Sequence, residues 1–509
     1  MGSLPAERRF NVDNVCIIGA GPSGLAAAKY LVAEHAFSRI QIYEQRSTPG
    51  GIWNYVPHQS LGCRDIDVPQ ADARAGTDRP LWHRKDAAGV PDKQLPEETV
   101  FMTPLYDRLE TNIPRDLMGF SDLDWPKDSQ LFPRHETVLE YIKRYAEDIR
   151  RLIRYKTQVL DVCLTEDARW RVKTRDVSRQ DVKEHEETFD AVIVANGHFN
   201  IPYIPTVKGM EEWSTAYPGS ISHSKFYRTP DQYAEKKVIV VGNSASGVDI
   251  GSQIQRSCSP PLLMSSKSES FLVNTPSPDK IDKPPIAEFL TKDRSVRFED
   301  GTIERDVDAV LYCTGYFYSF PFIRTLDPPV VTSGEKVENL YQHIFYQSHP
   351  TLAFPVLNQK VIPFPLAEAQ SAVIARVFSG RLGLPYGEEM KAWEQDWAKT
   401  NGDGRMFHVL KFPADADYID ELHDWAVSAD GEGQSVARAD QAGNGAVVRR
   451  GKTPPYWGEK EYWMRERFPA IKKAFQDLGE ERHNKHTLQD VGFGYEEWKG
   501  RERGQDDHA

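Results

Sequence analysis

The chain has 509 residues, which is enough to bury one large core or to form two or three domains. Its proportions of apolar and charged residues, 39% and 27%, are those of an ordinary globular protein. The formal net charge of −12 argues against a nucleic-acid surface, because phosphate binding needs clustered Lys and Arg.

The first predicted unit is a β-α-β motif with a glycine-rich turn. An apolar run at 14–18 (NVCII) precedes GAGPSG, the helical pattern LAAAKYLVAEH and a second strand, IQIYEQ. Gly19, Gly21 and Gly24 form G-x-G-x-x-G, which allows a tight turn, close approach of a pyrophosphate and close helix packing. Glu44 ends the second strand, where a carboxylate would accept hydrogen bonds from ribose hydroxyls. Together these features predict a dinucleotide site.

The region after this motif predicts an excursion, a helix and a meander. Residues 71–98 are polar and rich in Pro, Asp and Gly, which indicates a long excursion. Residues 134–153 have apolar positions three to four apart and predict an amphipathic helix. The stretches QVLDVCLT and RWRVKTR predict antiparallel strands that lead to the buried run DAVIVANG.

A second β-α-β motif begins at KKVIVVGNSASGVDIGSQI and continues into PLLMSSKS. Its turn is a variant of the same fingerprint, with serine in place of the middle glycine. Glu44 in the first motif would repel a 2′-phosphate, whereas serine hydroxyls and a lysine would bind one, so we assign FAD to the first site and NADPH to the second. The residues predicted to hold NADPH here are Gly242, Ser244, Gly247, Ser265, Ser266 and Lys267. Lys267 is equally consistent with an ordinary solvated lysine.

The segment YPGSISHSKFY lies between the two motifs. In it Tyr217, Gly219, His223 and Tyr227 have the spacing F-x-G-x-x-x-H-x-x-x-F/Y. This segment resembles the identifying sequence of flavin-containing monooxygenases that oxygenate nitrogen or sulfur. Tyr217 stands where the family usually has Phe. Tyr227 stands where the related Baeyer–Villiger enzymes typically have Trp, which disfavours that subclass.

Other segments carry the same resemblance, which covers roughly residues 12–385 and is nearest to the soluble fungal and bacterial branch. PGGIWNY, with Gly51 and Trp53, resembles the family's G-G-x-W flavin segment. ETNIPRDLMGFSD resembles the segment with the family's active-site asparagine, which maps to Asn112. LYCTGY resembles the strand F-A-T-G-Y, and the segment from HPTLAF to RLGLP resembles the returning FAD segment, which places Gln370 near the flavin.

The resemblance implies cofactor chemistry that the protein holds in place. NADPH would reduce FAD, oxygen would form a hydroperoxide at flavin carbon 4a, and one oxygen atom would pass to an amine or indole nitrogen or a sulfur. Asn112 is the candidate for direct polar contact with the oxygenated flavin and NADP, although a turn asparagine beside Pro114 would look the same. We assign His223 to structural support of NADP binding rather than to proton transfer. No metal is expected.

We expect two Rossmann-like α/β dinucleotide-binding domains, the smaller inserted in the larger, with the active site between them. The FAD-binding domain would take residues 1–212 and return at 326–509, and the NADPH-binding domain would take 213–325. The tail from about residue 385 is rich in Trp, Lys and Glu, which predicts a helical extension. A Gly-, Ala- and Ser-rich stretch at 428–454 predicts a mobile loop within it.

The compartment and the rival classes follow from the cysteines and the apolar runs. Five scattered cysteines without C-x-x-C spacing, and no run near the roughly 18 to 20 apolar residues of a membrane helix, predict a cytoplasmic protein. Its partners would be a small nucleophile and O₂, without nucleic acid or membrane, and the resemblance is consistent with a homodimer. A disulfide reductase is disfavoured because Cys63 has no neighbouring cysteine. A flavin oxidase that releases hydrogen peroxide, a Baeyer–Villiger-type oxygenase and a cofactor-bound binding protein remain as alternatives.

Overall fold

The computed structural model describes residues 7–57, 66–74, 76, 78–84, 97–178, 183–268, 277–429 and 451–506. The strands in chain order are β1 (Asn14–Ile18), β2 (Arg39–Tyr43), β3 (Leu81–Arg84), β4 (Glu97–Val100), β5 (Ile153–Arg154), β6 (Thr157–Leu164), β7 (Trp170–Asp176), β8 (Glu184–Phe189), β9 (Ala191–Val194), β10 (Ile201–Pro202), β11 (Ile221–His223), β12 (Val238–Val241), β13 (Leu262–Ser265), β14 (Lys280–Lys283), β15 (Ile286–Leu290), β16 (Ser295–Phe298), β17 (Ile303–Glu304), β18 (Ala309–Tyr312), β19 (Tyr316–Phe317), β20 (Leu340–Tyr341), β21 (Phe345–Tyr346) and β22 (Leu352–Ala353). The α-helices are α1 (Pro22–Glu34), α2 (His135–Tyr145), α3 (Met210–Ala216), α4 (Ala245–Ile254), α5 (Pro363–Phe378), α6 (Gly387–Asn401), α7 (Ala414–Ser428), α8 (Glu459–Asp477) and α9 (Tyr495–Asp506).

The larger sheet has, within the described ranges, seven strands in the order β20-β21-β22-β9-β1-β2-β5. β1 lies between β2 and β9 and is parallel to both. Its residues 15–18 are all buried, as in a parallel strand that is covered on both faces. Helix α5 is buried along residues 364–378 and packs against α1. This arrangement fixes the loop between β1 and α1 at the carboxyl edge of the sheet.

The smaller sheet has the order β11-β18-β12-β13-β14, and every neighbouring pair is parallel. All of its strands lie between residues 221 and 312, and they interrupt the strands of the larger sheet between β9 and β20. The expected α/β class, two Rossmann-like units with the smaller inserted in the larger, is therefore confirmed. The exact boundaries at 212 and 325 stay predictions.

The elements predicted from periodicity are present, with one shortened. Both β-α-β motifs form, and β6, β7 and β8 make an antiparallel sheet that leads into β9. The amphipathic helix predicted over 134–153 ends at Tyr145, and a 3₁₀ turn at Glu147–Leu152 follows it. This difference lies at a helix end, where a 3₁₀ turn is common.

The C-terminal helices belong to the core of the larger sheet. Leu422 of α7 and Trp463, Ile471 and Phe475 of α8 lie in the same buried cluster as the apolar residues of α1 and α5. The loop predicted at 428–454 lies mostly outside the described residues. Within the part of the chain that is described, no helix has the length and apolar character needed to cross a bilayer.

Candidate active site

The first glycine turn joins the end of β1 to helix α1. Gly21 is the residue that caps the N-terminus of α1, and no side chain satisfies the first N–H groups of the helix. Such a helix terminus favours a phosphate, through its free N–H donors and the helix dipole. A Cβ added at Gly24 would lie 2.0 Å from the Gly19 carbonyl oxygen, so only glycine permits the observed approach of α1 to the turn.

Glu44 follows β2 at the same edge of the sheet. It is only 3% exposed, and its carboxylate accepts hydrogen bonds from the backbone N–H groups of Ala20 and Arg46, both at 2.8 Å. A carboxylate has about four acceptor positions, so these two bonds leave room for ribose hydroxyls. The sequence-predicted acid therefore lies beside the sequence-predicted glycine turn.

A cavity of about 330 Å³ extends along the carboxyl edge of the larger sheet. That volume is within the range of small-molecule and cofactor sites. The predicted FAD residues on its wall are Gly19, Gly21, Glu44, Gly51 and Trp53. A Cβ at Gly51 would lie 3.0 Å from the Gly21 Cα atom, so side chains at these two positions would crowd the cavity floor.

Three buried polar atoms on the cavity wall have no hydrogen-bond partner among the described residues, Arg46 Nε, His198 Nε2 and Ser319 Oγ. Burial lowers the pKa of His198 to about 4, so its imidazole is neutral at physiological pH. Buried polar groups are normally satisfied, and a bound ligand with hydrogen-bonding groups would satisfy these three. The uncapped helix, Glu44 and the three unsatisfied polar atoms therefore fit FAD. Sequence analysis missed all three residues, although His198 directly follows the quoted run DAVIVANG.

A hydrogen-bond network links the cavity wall to the smaller sheet. Gln158 donates to Gln45 at 3.0 Å, and Gln45 donates to Asp78 at 3.3 Å. Asp78 also accepts from Asn200, whose side-chain oxygen accepts from Lys225 at 2.7 Å. These five residues come from distant parts of the chain, so no local spacing in the sequence signals the network.

The second glycine turn joins β12 to α4. A Cβ at Gly247 would lie 1.9 Å from the Gly242 carbonyl oxygen, and Ser244 at the helix N-terminus makes no side-chain cap. Ser265 is buried and its hydroxyl donates to the Pro284 carbonyl at 2.9 Å. Ser266 and the exposed Lys267 follow at the carboxyl end of β13. The predicted NADPH residues of this turn and of β13 thus lie at one edge of the smaller sheet. None of these six residues lines the 330 Å³ cavity.

His223 is the last residue of β11 in this sheet, and its side chain is buried. Its Nε2 atom lies 3.0 Å from the Gly315 carbonyl oxygen, and its Nδ1 atom accepts a hydrogen bond from the Lys225 N–H at 3.1 Å. Burial lowers the pKa of His223 to about 3, so the ring is neutral and both nitrogens are occupied. This geometry favours the structural interpretation of His223 over proton transfer.

Arg228, which sequence analysis did not single out, lies buried at the junction of the two sheets. Its side chain is almost completely enclosed, and its guanidinium donates hydrogen bonds to backbone carbonyl oxygens from three segments of the chain. The acceptors and distances are Val56 (2.9 Å), Thr103 (3.1 Å), Leu105 (3.0 Å), Lys225 (2.9 Å) and Tyr227 (2.7 Å). The acceptors at residues 56, 103 and 105 belong to two segments that also contribute Trp53, Met102 and Pro104 to the cavity wall, and we call them the cavity segments. Arg228 therefore links the cavity segments to the residues that follow β11 of the smaller sheet.

Neither Asn112 nor Gln370 is among the residues that line the cavity. Asn112 is half-buried and has no side-chain hydrogen bond to any described residue. Gln370 is buried and accepts a hydrogen bond from the Val356 N–H at 2.6 Å. Val356 lines the cavity with a φ of 57°, which is unusual for a β-branched residue. Gln370 thus supports a residue of the cavity wall from inside the protein, and its expected place near the flavin stays a prediction.

We expect Lys267→Ala to lower the preference for NADPH over NADH about tenfold, the size of one charge-assisted hydrogen bond. Lys267 is exposed at the end of β13, so the change removes a cation for the 2′-phosphate without disturbing the core. The measurement is the ratio of kcat/KM values for the two nucleotides. Lys236→Ala, an exposed lysine at the opposite end of the sheet, is the control. An unchanged ratio would move the phosphate contact elsewhere.

Comparisons with known proteins agree with this geometry. Residues 92–281 and 280–432 match a family model described as flavin-binding monooxygenase-like, and residues 17–69 match an NAD(P)-binding Rossmann-like domain. The chain is 32% identical over 398 residues to the Arabidopsis thaliana protein "Flavin-containing monooxygenase FMO GS-OX5", covering 76% of this chain and 78% of that protein. It is 33% identical over 441 residues to "Flavin-containing monooxygenase FMO GS-OX-like 2" of the same organism, covering 81% and 84%.

Solved structures show the same architecture. The S-allyl-L-cysteine S-oxygenase from Allium sativum is 28% identical, with a TM-score of 0.70, and the match covers 94% of this chain and 96% of that one. Tmm from Pelagibacter sp. strain HTCC7211, at 21% identity and a TM-score of 0.66, shares the fold. The residue ranges matched by the family models contain both glycine turns, Asn112, His223 and Gln370, and they end before α8.

Proposed function

The chain belongs to the flavin-binding monooxygenase-like family, and on that premise we propose that it transfers one atom of O₂ to a sulfur or an amine nitrogen of a small molecule. It is an oxygenase that uses FAD and NADPH, as the family and Rossmann-like matches show. Sulfur is the first candidate, because the S-oxygenase from Allium sativum matches 94% of this chain at 28% identity.

The cavity residues would hold FAD in an orientation set by the larger sheet. FAD, once bound and reduced by NADPH, supplies the oxygen chemistry. The N-terminus of α1 would bind the pyrophosphate and Glu44 the ribose hydroxyls. Trp53 and Phe364 add apolar surface to the same wall and would exclude water from it. The second glycine turn, with Ser266 and Lys267, would bind NADPH.

The neutral state of the His198 imidazole removes one possible proton source for an oxidase reaction. A protonated histidine beside the flavin would be an acid able to promote loss of activated oxygen as hydrogen peroxide. Because burial lowers the pKa of His198 to about 4, this side chain is not such an acid at neutral pH. The neutral amide of Asn112, which has no partner among the described residues, would contact the reacting groups without delivering a proton.

The single observation that carries the proposal is the cavity at the first glycine turn, with Glu44 and three unsatisfied polar atoms, in a chain that matches the family model. The test is to incubate the FAD-loaded enzyme with NADPH, oxygen and a panel of thioethers, thiols, tertiary amines and indoles. We expect NADPH consumption and a product heavier by one oxygen atom for at least one sulfur compound. Stoichiometric hydrogen peroxide without any oxygenated product would favour the oxidase, and esters formed from ketones would favour a Baeyer–Villiger enzyme.

The variant Asn112→Ala tests whether Asn112 takes part in oxygen transfer. We expect NADPH to reduce the flavin at close to the wild-type rate, while formation of oxygenated product falls about tenfold or more. Asn401→Ala, which changes an exposed asparagine at the end of α6, is the control. Equal loss of both half-reactions in Asn112→Ala would remove Asn112 from the oxygenation step.

A further inference from the structure

Helix α8 brings a buried lysine to the turn that contains Asn112. Lys472 is only 7% exposed, and its ammonium donates a hydrogen bond to the Thr111 carbonyl oxygen at 2.8 Å. It also lies over the rings of Phe132 and Phe475, at 4.5 and 5.5 Å from their centroids. The Thr111 carbonyl is part of the peptide group that joins Thr111 to Asn112, so Lys472 fixes the orientation of that peptide.

Further contacts hold the rest of the turn. The Thr111 N–H donates to the Pro133 carbonyl at 2.9 Å, and the Thr111 hydroxyl donates to the Ile113 carbonyl at 2.9 Å. The preceding Glu110 pairs with Arg482, whose Nε atom lies 3.2 and 3.3 Å from the two carboxylate oxygens. Lys472 and Arg482 both belong to the C-terminal region, which therefore contacts the turn at two adjacent residues, Glu110 and Thr111.

A partly buried acid on helix α4 also interacts electrostatically with Lys472. Asp249 of α4 accepts hydrogen bonds from the Tyr106 hydroxyl and from Gln253, the latter at 3.2 Å. Both Asp249 and Glu110 favour the charged form of Lys472. Because α4 begins at the second glycine turn, Lys472 lies where the Asn112 turn, the predicted NADPH helix and the C-terminal region meet.

We propose that Lys472 is a positioning residue: its ammonium fixes the Thr111–Asn112 peptide, and the C-terminal helix α8 thereby controls how completely NADPH oxidation is coupled to oxygen transfer. This inference rests on the proposed function, because it assigns Asn112 to the oxygenation step. The family-model matches end at residue 432, so the controlling helix lies outside the matched ranges.

Burying an ammonium group is energetically unfavourable if the side chain serves only to fill space. Removing an ammonium from water costs several kcal/mol, and an apolar side chain of similar volume is often neutral or stabilising in its place. A charge-assisted hydrogen bond, in contrast, fixes one carbonyl in one direction. The energetic cost of burying Lys472 therefore favours a positioning role over simple filling of space between Phe132 and Phe475.

The first experiment compares Lys472→Met with Lys473→Met in the FAD-loaded enzyme. Lys473 is the neighbouring residue and pairs with Asp477 on the surface, so it is a matched control. We expect Lys472→Met to speed hydrogen exchange of backbone amides in the peptide covering residues 109–118 about tenfold, and to raise the peroxide released per NADPH severalfold, at an unchanged rate of flavin reduction. Lys473→Met should change none of these quantities.

The second experiment is a pH profile of the same coupling ratio. Burial lowers the pKa of Lys472 to about 8, against the opposing effects of Glu110 and Asp249 and with a further lowering by Arg482. As pH rises through about 8 the wild-type ammonium loses its charge, so we expect peroxide release to increase relative to oxygen transfer. His483, whose Nδ1 atom lies 3.5 Å from a Glu110 carboxylate oxygen, is a further ionisable group beside this cluster. Lys472→Arg stays charged over this range and should lack the step while retaining coupling below it.

The outcomes separate this inference from the function on which it rests. Unchanged hydrogen exchange and coupling in Lys472→Met would overturn the positioning role, and so would equal loss of flavin reduction and oxygen transfer. Poor folding of Lys472→Met would leave Lys472→Arg to decide, because a wild-type step near pH 8 in that variant would also overturn it. Wild-type enzyme that gave only peroxide would instead remove the proposed function, and the exchange measurement would still test whether Lys472 holds the turn.

Discussion

Gly247→Ala is expected to leave FAD bound while lowering the rate of flavin reduction by NADPH about 100-fold or more, the usual effect of a displacement near 1 Å at a reacting site. The new Cβ would lie 1.9 Å from the Gly242 carbonyl oxygen and 2.7 Å from its carbonyl carbon. Both are backbone atoms at the end of β12, so neither can rotate away as a flexible side chain would. Helix α4 must therefore move, and the second glycine turn with it.

The measurement is anaerobic stopped-flow reduction of the bound flavin by NADPH, with dithionite reduction as a check that the flavin itself is intact. Gly387→Ala is the control, because a Cβ there meets no atom within 4 Å and Gly387 begins helix α6. Gly24→Ala should show the reverse pattern, with FAD lost, since its Cβ would lie 2.0 Å from the Gly19 carbonyl oxygen. Wild-type reduction of Gly247→Ala by NADPH would contradict the assignment of the second turn.

Arg228→Met is expected to lower the apparent free energy of unfolding by about 3 to 5 kcal/mol, because several buried carbonyl oxygens would lose their donor at a cost of about 1 to 3 kcal/mol each. Backbone carbonyl oxygens of residues 56, 103, 105, 225 and 227 would lose a donor in a buried junction. Buried acceptors left without a partner cost free energy because they have already lost their water. The change would therefore loosen the contact between the cavity segments and the smaller sheet.

Urea unfolding of the FAD-loaded enzyme, followed by flavin fluorescence and circular dichroism, measures this effect. Arg228→Lys should recover only part of the loss, because three donors on one nitrogen cannot reproduce a planar guanidinium that reaches several carbonyls. Arg256→Met, at an exposed arginine just after α4, is the control and should stay within about 0.5 kcal/mol of wild type. An Arg228→Met variant as stable as the control would show that the junction is held by other contacts.

Local motifs in the sequence predict both the flavin site and the nicotinamide site. Each glycine turn was read from a strand, a turn and a helix within about thirty residues, and the structure has those elements at those positions. Glu44 was placed by its distance along one strand. The sequence also separated the two sites by charge, since an acid stands at one and serines with a lysine at the other. The family matches support FAD and NADPH, whereas the individual residue assignments stay predictions.

Sequence by itself determined what depends on neighbours in the chain: the two β-α-β motifs, the glycines at the turns, the acid after β2 and the helical character of the tail. Hydrophobic periodicity and turn chemistry act over a few residues, so these features are visible without a fold. Only the tertiary structure decided that Gln370 supports Val356 from behind, that His198 faces the cavity, and that Lys472 reaches the Asn112 turn. Those contacts join residues far apart in the chain, and packing of helices on sheets, rather than any local pattern, brings them together.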